Sequence, residues 1–249
     1  MCQKGLKGTG LKTTWIVLLF IGFYFTFNSA KAQSYKIESF EGTAANIKLY
    51  YKPLSGMLTI SYLRDTFLIN DYMSVDTVKV LNKVFLQINY VKRAGSNEDA
   101  INQLLLYVSN GKLCQALHVN SLTTYDRRPN EYSLFKLGVT LGGHNVETYK
   151  LTLNIHNEKS SKQSPKSNYK YNKIEILAFD KKSKIFYNSY EYIIGDYTFH
   201  NLIKGGGVSR VKGSLKNDVP VVKIEKDKYY YINGNWYTKD KSDFYSMLL

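Results

Sequence analysis

The sequence predicts an all-β protein, a mainly antiparallel β-sandwich with a short C-terminal helix, and three observations carry that prediction. Apolar and polar residues alternate with period two through most of the chain after Gln33, as strands with one buried face require. Turn dipeptides such as Asn110-Gly111 and Asn233-Gly234 interrupt the alternation at short intervals. Tyrosine reaches 22 of 249 residues, and it supplies a pleated sheet with large contact area and a polar tip.

The N-terminal segment stands apart from this pattern. Trp15 to Phe27 is an uncharged run of 13 residues, preceded by Lys4, Lys7 and Lys12 and followed by Ala30-Lys31-Ala32 before Gln33. A basic start, a short apolar stretch and an Ala-x-Ala exit are the layout of a secretory signal peptide, here residues 1–32. A membrane-spanning helix needs about 20 apolar residues, and the run is shorter than that. Lipidation would need a cysteine where Gln33 stands. The expected mature chain is therefore one β domain over 33–249, exported to the periplasm, the outer envelope or the medium, with no membrane span after cleavage.

Cleavage removes four lysines (4, 7, 12 and 31) and no acid, taking the formal charge from +14 to +10. The lysines are spread over strands and turns, and Arg64, Arg93, Arg127, Arg128 and Arg210 form no stripe, which argues against nucleic-acid binding. Cys114 is the one cysteine left, so an internal disulfide is excluded and the core must hold the exported fold together.

The strands follow in order. Ile47 to Tyr51 ends before Lys52-Pro53, and Met57 to Leu63 with Thr66 to Asn70 makes a hairpin about Arg64-Asp65. Val84 to Val91 follows, and a helix start is allowed at Ser96 or Asn97 by Glu98 and Asp99. Asn110-Gly111 pairs Val108 with Leu113, Leu106 with Gln115 and Leu104 with Leu117, giving two apolar faces and hence a central position in the sheet. Leu134 to Leu141 and Tyr149 to Ile155 both carry apolar residues at odd numbers. Opposed residues must then sum to an even value, which favours a three-residue loop, Gly143-His144-Asn145, with Asn145 at positive φ.

The polar stretch 157–170 reads as a long loop or a domain boundary. Tyr171 to Asp180 and Lys184 to Ile194 form the next hairpin, and Gly205-Gly206-Gly207 is a connection without a phosphate-binding pattern. Val219 to Glu225, Tyr229 to Ile232 and Asn235 to Thr238 are the last strands, and Lys239 to Leu249 is the expected helix.

Candidate chemistry is sparse. His118, His144, His156 and His200 show no metal-ligand spacing, so no metal, cofactor or catalytic residue is assigned. Cys114 and His118 lie four apart, about 13 Å along a strand, too far for a nucleophile and its base. The most binding-like feature is the aromatic ribbon of Tyr229, Tyr230 and Tyr231 with Trp236 and Tyr237, where an exposed strip of Tyr229, Tyr231 and Trp236 would stack on a glycan or dock an envelope protein. His144, at a glycine-flanked loop tip, joins the candidate ligand-binding residues. The expected function is an exported, non-catalytic envelope protein with a binding or assembly role. The alternative is an extracytoplasmic hydrolase, which would show His144 or His200 beside an acid in a deep pocket.

Overall fold

The computed structural model describes residues 31–52, 55–93, 98–128, 130–193, 196–203, 210–214 and 218–239. Among them the chain forms strands joined in three antiparallel sheets, consistent with a β-sandwich. Strands β1 (Lys31–Glu38), β2 (Ala44–Lys52), β3 (Met57–Tyr62) and β4 (Asp65–Ile69) make a four-stranded sheet in chain order. The central sheet has eight strands, also in sequence order: β5 (Tyr72–Leu81), β6 (Phe85–Arg93), β7 (Glu98–Ser109), β8 (Lys112–Arg128), β9 (Glu131–Gly142), β10 (Lys150–Ser161), β11 (Tyr169–Asp180) and β12 (Ile185–Tyr187). The third comprises β13 (Ser189–Tyr192), β14 (Asp196–Asn201), β15 (Arg210–Ser214), β16 (Asp218–Ile224), β17 (Asp227–Ile232) and β18 (Asn235–Lys239), ordered β13-β16-β17-β18-β14-β15.

The core explains the stacking. Ile47, Leu49, Leu58 and Ile60 of the first sheet meet Leu86, Ile88, Leu104, Leu106 and Val108 of the central one. On the other face of the central sheet, Leu105, Tyr107, Leu151, Leu153 and Leu177 pack with Val222, Ile224, Tyr229 and Trp236 of the third. The hairpin β7–β8 is thus covered on both sides, as its two apolar faces predict, and each such residue fully buried contributes about 1.5–3 kcal/mol.

Asn110 (φ 51°) and Gly111 (φ 72°) turn this hairpin, and Val108↔Leu113 and Leu106↔Gln115 pair as expected. The register then slips: Leu105 faces Leu117 and Leu104 faces His118, leaving Ala116 as an extra residue. The expected Leu104↔Leu117 pair is therefore absent. A bulge reverses the side-chain alternation of the strand that carries it. Leu117 and Val119 consequently join Leu105 and Tyr107, and His118 turns to the opposite face.

Other turns depart from expectation for local reasons. The β3–β4 turn is Leu63-Arg64, one residue early, because Asp65 starts β4 and its carboxylate accepts the Leu113 N–H at 2.9 Å. The β9–β10 register, Leu141↔Leu151 and Leu137↔Ile155, keeps the predicted parity, but the connection runs from Gly143 to Tyr149. Asn145 organises it without positive φ: its carbonyl accepts the N–H groups of Thr148 and Tyr149, and its side chain accepts that of Glu147.

Gly143 is the residue at positive φ in that loop (+85°), and a Cβ there would fall 2.2 Å from the Thr148 carbonyl oxygen. Gly143→Ala is expected to destabilise by about 2 kcal/mol or more, whereas Gly234→Ala should cost about 1 kcal/mol. The difference arises because a Cβ at Gly234 (φ +83°) meets nothing within 4 Å. Chemical denaturation of the two variants checks the order.

The stretch 157–170 is not a long loop. Strand β10 continues to Ser161, β11 begins at Tyr169, and a 3-10 turn at Pro165–Ser167 closes the hairpin. The Asn168 side chain accepts the Ser161 N–H, and the Ser161 hydroxyl accepts the Ser164 N–H, so polar residues build the turn. Strand β7 starts at Glu98, and the expected helix start at 96–97 lies outside the described residues, as do Gly205 to Gly207. Lys239 ends β18, and the rest of the expected C-terminal helix also lies outside them.

One residue moves the chain from the central to the third sheet. Strand β12 pairs β11 only at 178–180, and then the Asn188 N–H donates to the Val221 carbonyl. The Asn188 side chain donates to the Lys223 carbonyl at 3.0 Å and accepts the Lys223 N–H at 2.9 Å. Strand β13 thereby pairs β16 instead of continuing along β11.

Candidate functional site

The aromatic ribbon forms with the predicted register, Ile232↔Asn235, Tyr231↔Trp236 and Tyr230↔Tyr237. It does not make an exposed strip. Trp236 is fully buried, Tyr229 and Tyr237 are buried, and Tyr231 is half-buried with its ring 5.3 Å from the indole. Tyr229, Tyr231 and Trp236 face the central sheet, where the Tyr229 hydroxyl accepts the Asn120 N–H at 3.1 Å. Burial raises the Tyr229 hydroxyl pKa and pushes that of Tyr231 up to about 12. On the other face Tyr230 and Tyr237 pack on Phe199, and the Tyr230 hydroxyl donates to Glu191. Pairing was readable from the turn, but burial depends on which sheet covers which face.

His144 is exposed on the β9–β10 connection, where its backbone N–H donates to the Thr148 hydroxyl. It belongs to a different part of the surface from the buried aromatic rings with which it was grouped. His118 is fully buried, with Nε2 2.9 Å from the Tyr90 hydroxyl. Burial, with a smaller contribution from Lys92, lowers its pKa to about 3, so the imidazole is neutral. Cys114 lies on the opposite face of β8 against Tyr107, and burial raises its thiol pKa. Bulge and distance together separate thiol from imidazole. Among the described residues no group of three or more His, Cys, Asp or Glu is placed to hold a metal ion.

The surface that stands out was not anticipated. In β9–β11 the odd-numbered residues Leu137, Leu151, Leu153, Ile155 and Leu177 fill the core, so the even-numbered ones face outward. This outer face carries Gly138 and Thr140 from β9, Thr152, Asn154 and His156 from β10, and Asn172, Ile174 and Ile176 from β11. Ile174 is 65% and Ile176 57% exposed. The amphipathic sense of Lys173-Ile174-Glu175-Ile176 is inverted: the isoleucines point to solvent, while Lys173 and Glu175 share the side of Leu177 and pair with each other at 2.5 Å.

Beside the isoleucines lies a polar ladder. His156 Nδ1 is 2.9 Å from the Asn172 side-chain oxygen, His156 Nε2 is 3.3 Å from Glu158, and Lys170 Nζ is 3.1 Å from the same carboxylate. The Lys170 hydrogen bond, with help from His156, holds the Glu158 carboxyl below the usual carboxylate range. Glu158 therefore stays an anion and the ladder is saturated by its own partners.

The outer edge of β11 completes the site. From Tyr169 to Leu177 no strand among the described residues pairs it, because Asn188 diverts the chain. No family model, curated protein or solved structure matches the chain. The functional reading therefore rests on this geometry. The signal in the sequence was indirect: once Leu151, Leu153 and Ile155 are taken as core, the even parity of a hairpin pairing forces Ile174 and Ile176 outward. The run of alternating charge and isoleucine, taken alone, suggests the opposite.

Proposed function

We propose that the protein is an exported, non-catalytic envelope component that acts by binding or assembly, and that its working surface is the outer face and open edge of β9–β11. The observation that carries this reading is the exposure of Ile174 and Ile176, side by side on a strand whose outer edge no strand among the described residues pairs. Exposed apolar residues beside free backbone donors and acceptors are how extended segments are captured by strand addition. Two exposed isoleucines beside an edge of backbone donors and acceptors favour a protein partner over a glycan, and the ribbon expected as a stacking strip is internal. Export is supported by the basic start, apolar run and Ala-x-Ala exit before Gln33. Among the described residues no helix is long and apolar enough to cross a membrane. Of the residues that the hydrolase alternative would use, His144 stands exposed on the β9–β10 connection and not in a deep pocket, so that reading is not adopted.

The test is fractionation of producing cells with sequencing of the recovered N-terminus. The expected chain begins at Gln33 and sediments with the envelope, and Ile174→Asp with Ile176→Asp releases it while changing stability by no more than about 2 kcal/mol, about 1 kcal/mol of strand propensity at each exposed site. An uncleaved cytoplasmic chain would overturn the export reading. Unchanged envelope association of the double variant would overturn the assignment of the surface.

A further inference from the structure

We infer that two copies of this chain pair antiparallel through β11 in one register, centred on Ile174. The inference deepens the assembly reading and rests on it for the surface, not for export. Among the described residues strand β11 has an edge without a partner strand from Tyr169 to Leu177, and its side chains alternate between an outer set, Asn172, Ile174 and Ile176, and an inner set, Tyr171, Lys173, Glu175 and Leu177. When two identical strands meet edge to edge, the two-fold axis stands normal to the sheet. Outer residues then face outer residues, and the numbers of opposed residues sum to an even value.

Few registers satisfy this condition, and charge decides among them. Centring on Lys173 opposes it to its own copy, and centring on Glu175 opposes two carboxylates. Centring on Asn172 sets Lys173 against Tyr171 and Ile174 against Lys170, so no ion pair forms. Centring on Ile176 runs into residues 178–180, which already pair β12.

Centring on Ile174 places each Lys173 opposite the Glu175 of the second copy, twice. The same register sets Ile174 on its own copy, brings Ile176 diagonal to the second Ile174, and maps the free stretch 171–177 onto itself. Opposite charges and bulky apolar pairs directly across a ladder are stabilising, and like charges are destabilising. Charges pointing inward from an edge strand ordinarily discourage pairing. Here Lys173 and Glu175 already neutralise each other at 2.5 Å within the strand, so they penalise the shifted registers and not the central one. The joined sheets would share a continuous outer face, with four isoleucines grouped about the axis.

The experiment is sedimentation velocity over a concentration series, on the protein as purified from producing cells. A reversible monomer–dimer equilibrium is expected, and Lys173→Glu or Glu175→Lys alone should weaken it by about tenfold or more, since each creates two like-charge pairs. The double variant Lys173→Glu with Glu175→Lys should return dimerisation to near the wild-type level, which a merely structural role for either residue would not produce. Lys173 is exposed and Glu175 half-exposed, and circular dichroism melts verify that each of the three variants folds. A wild-type chain that stays monomeric at every concentration, or a double variant as impaired as the single ones, overturns the inference. If monomeric wild type still sediments with the envelope, the edge serves a different protein and only the self-pairing fails. Dimerisation with charge rescue in a chain that is not exported would support the pairing and remove the export reading.

Discussion

Replacing Trp236 by alanine is expected to lower stability by about 3–5 kcal/mol, the usual cost of emptying a buried tryptophan site. The indole is fully buried in the core between the central and third sheets, against the Tyr231 ring. Since folded domains are stable by only about 5–15 kcal/mol, this one substitution removes a large share of the total. For a chain of this size the melting temperature should fall by roughly 6–20 °C. Trp236→Phe should cost much less, because the indole Nε1–H is buried without a hydrogen-bond partner among the described residues, so the ring mainly fills space. Calorimetric melts of both variants decide the matter. A Trp236→Ala protein with wild-type stability would mean that the ribbon is not core and would return it to the surface as a binding strip.

Acidification is expected to destabilise the protein before its carboxylates titrate. His118 has a folded pKa of about 3, lowered by burial and then by Lys92, against an ordinary value of 6.5. A group whose folded pKa is depressed binds more protons when unfolded. Its neutral form therefore supports the fold fully above pH 6.5, and that support is lost as pH falls toward 3. Between pH 7 and pH 5 the loss should be about 2 kcal/mol. Glu191 titrates lower: its burial alone would raise its pKa, but hydrogen bonds from Lys228, Lys223 and Tyr230 outweigh that and bring it to about 2. The first part of the acid limb is therefore assigned to His118.

Removing only the imidazole would leave the buried Tyr90 hydroxyl without its partner, so the informative variant is Tyr90→Phe with His118→Leu. Urea denaturation midpoints from pH 7 to pH 5 should be flat for this pair and should slope for the wild type. Parallel slopes would show that His118 is not the group responsible.

Much of the local pairing was legible in the sequence, and most of the site was not. Asn110-Gly111 and Asn233-Gly234 set their hairpin registers through turn chemistry, and the observed pairs beside each turn follow from it. Parity alone gave the correct facing of β9 and β10, because Leu137, Leu141, Leu151 and Ile155 all had to point inward. Non-local features escaped. Nothing near Ala116 announces the bulge that sends His118 to the Tyr90 side, and nothing near Asn188 announces that it leaves the β11 edge open. The ribbon was read with its correct partners but the wrong solvent exposure, since the cover over Trp236 comes from strands far away in sequence. Export is a separate matter, because nearly all of the proposed leader lies outside the described residues.

We propose that β11 presents the working edge of this protein. Backbone amide hydrogen exchange, followed by mass spectrometry in dilute solution and in the envelope-associated or concentrated state, tests it most directly. Rapid exchange is expected in the dilute protein for the alternate amides of 171–177 that point away from β10, with strong protection of those amides on association and β17 and β18 slow throughout. Protection that instead appears only at β17–β18, or no change at 171–177 on association, would contradict it.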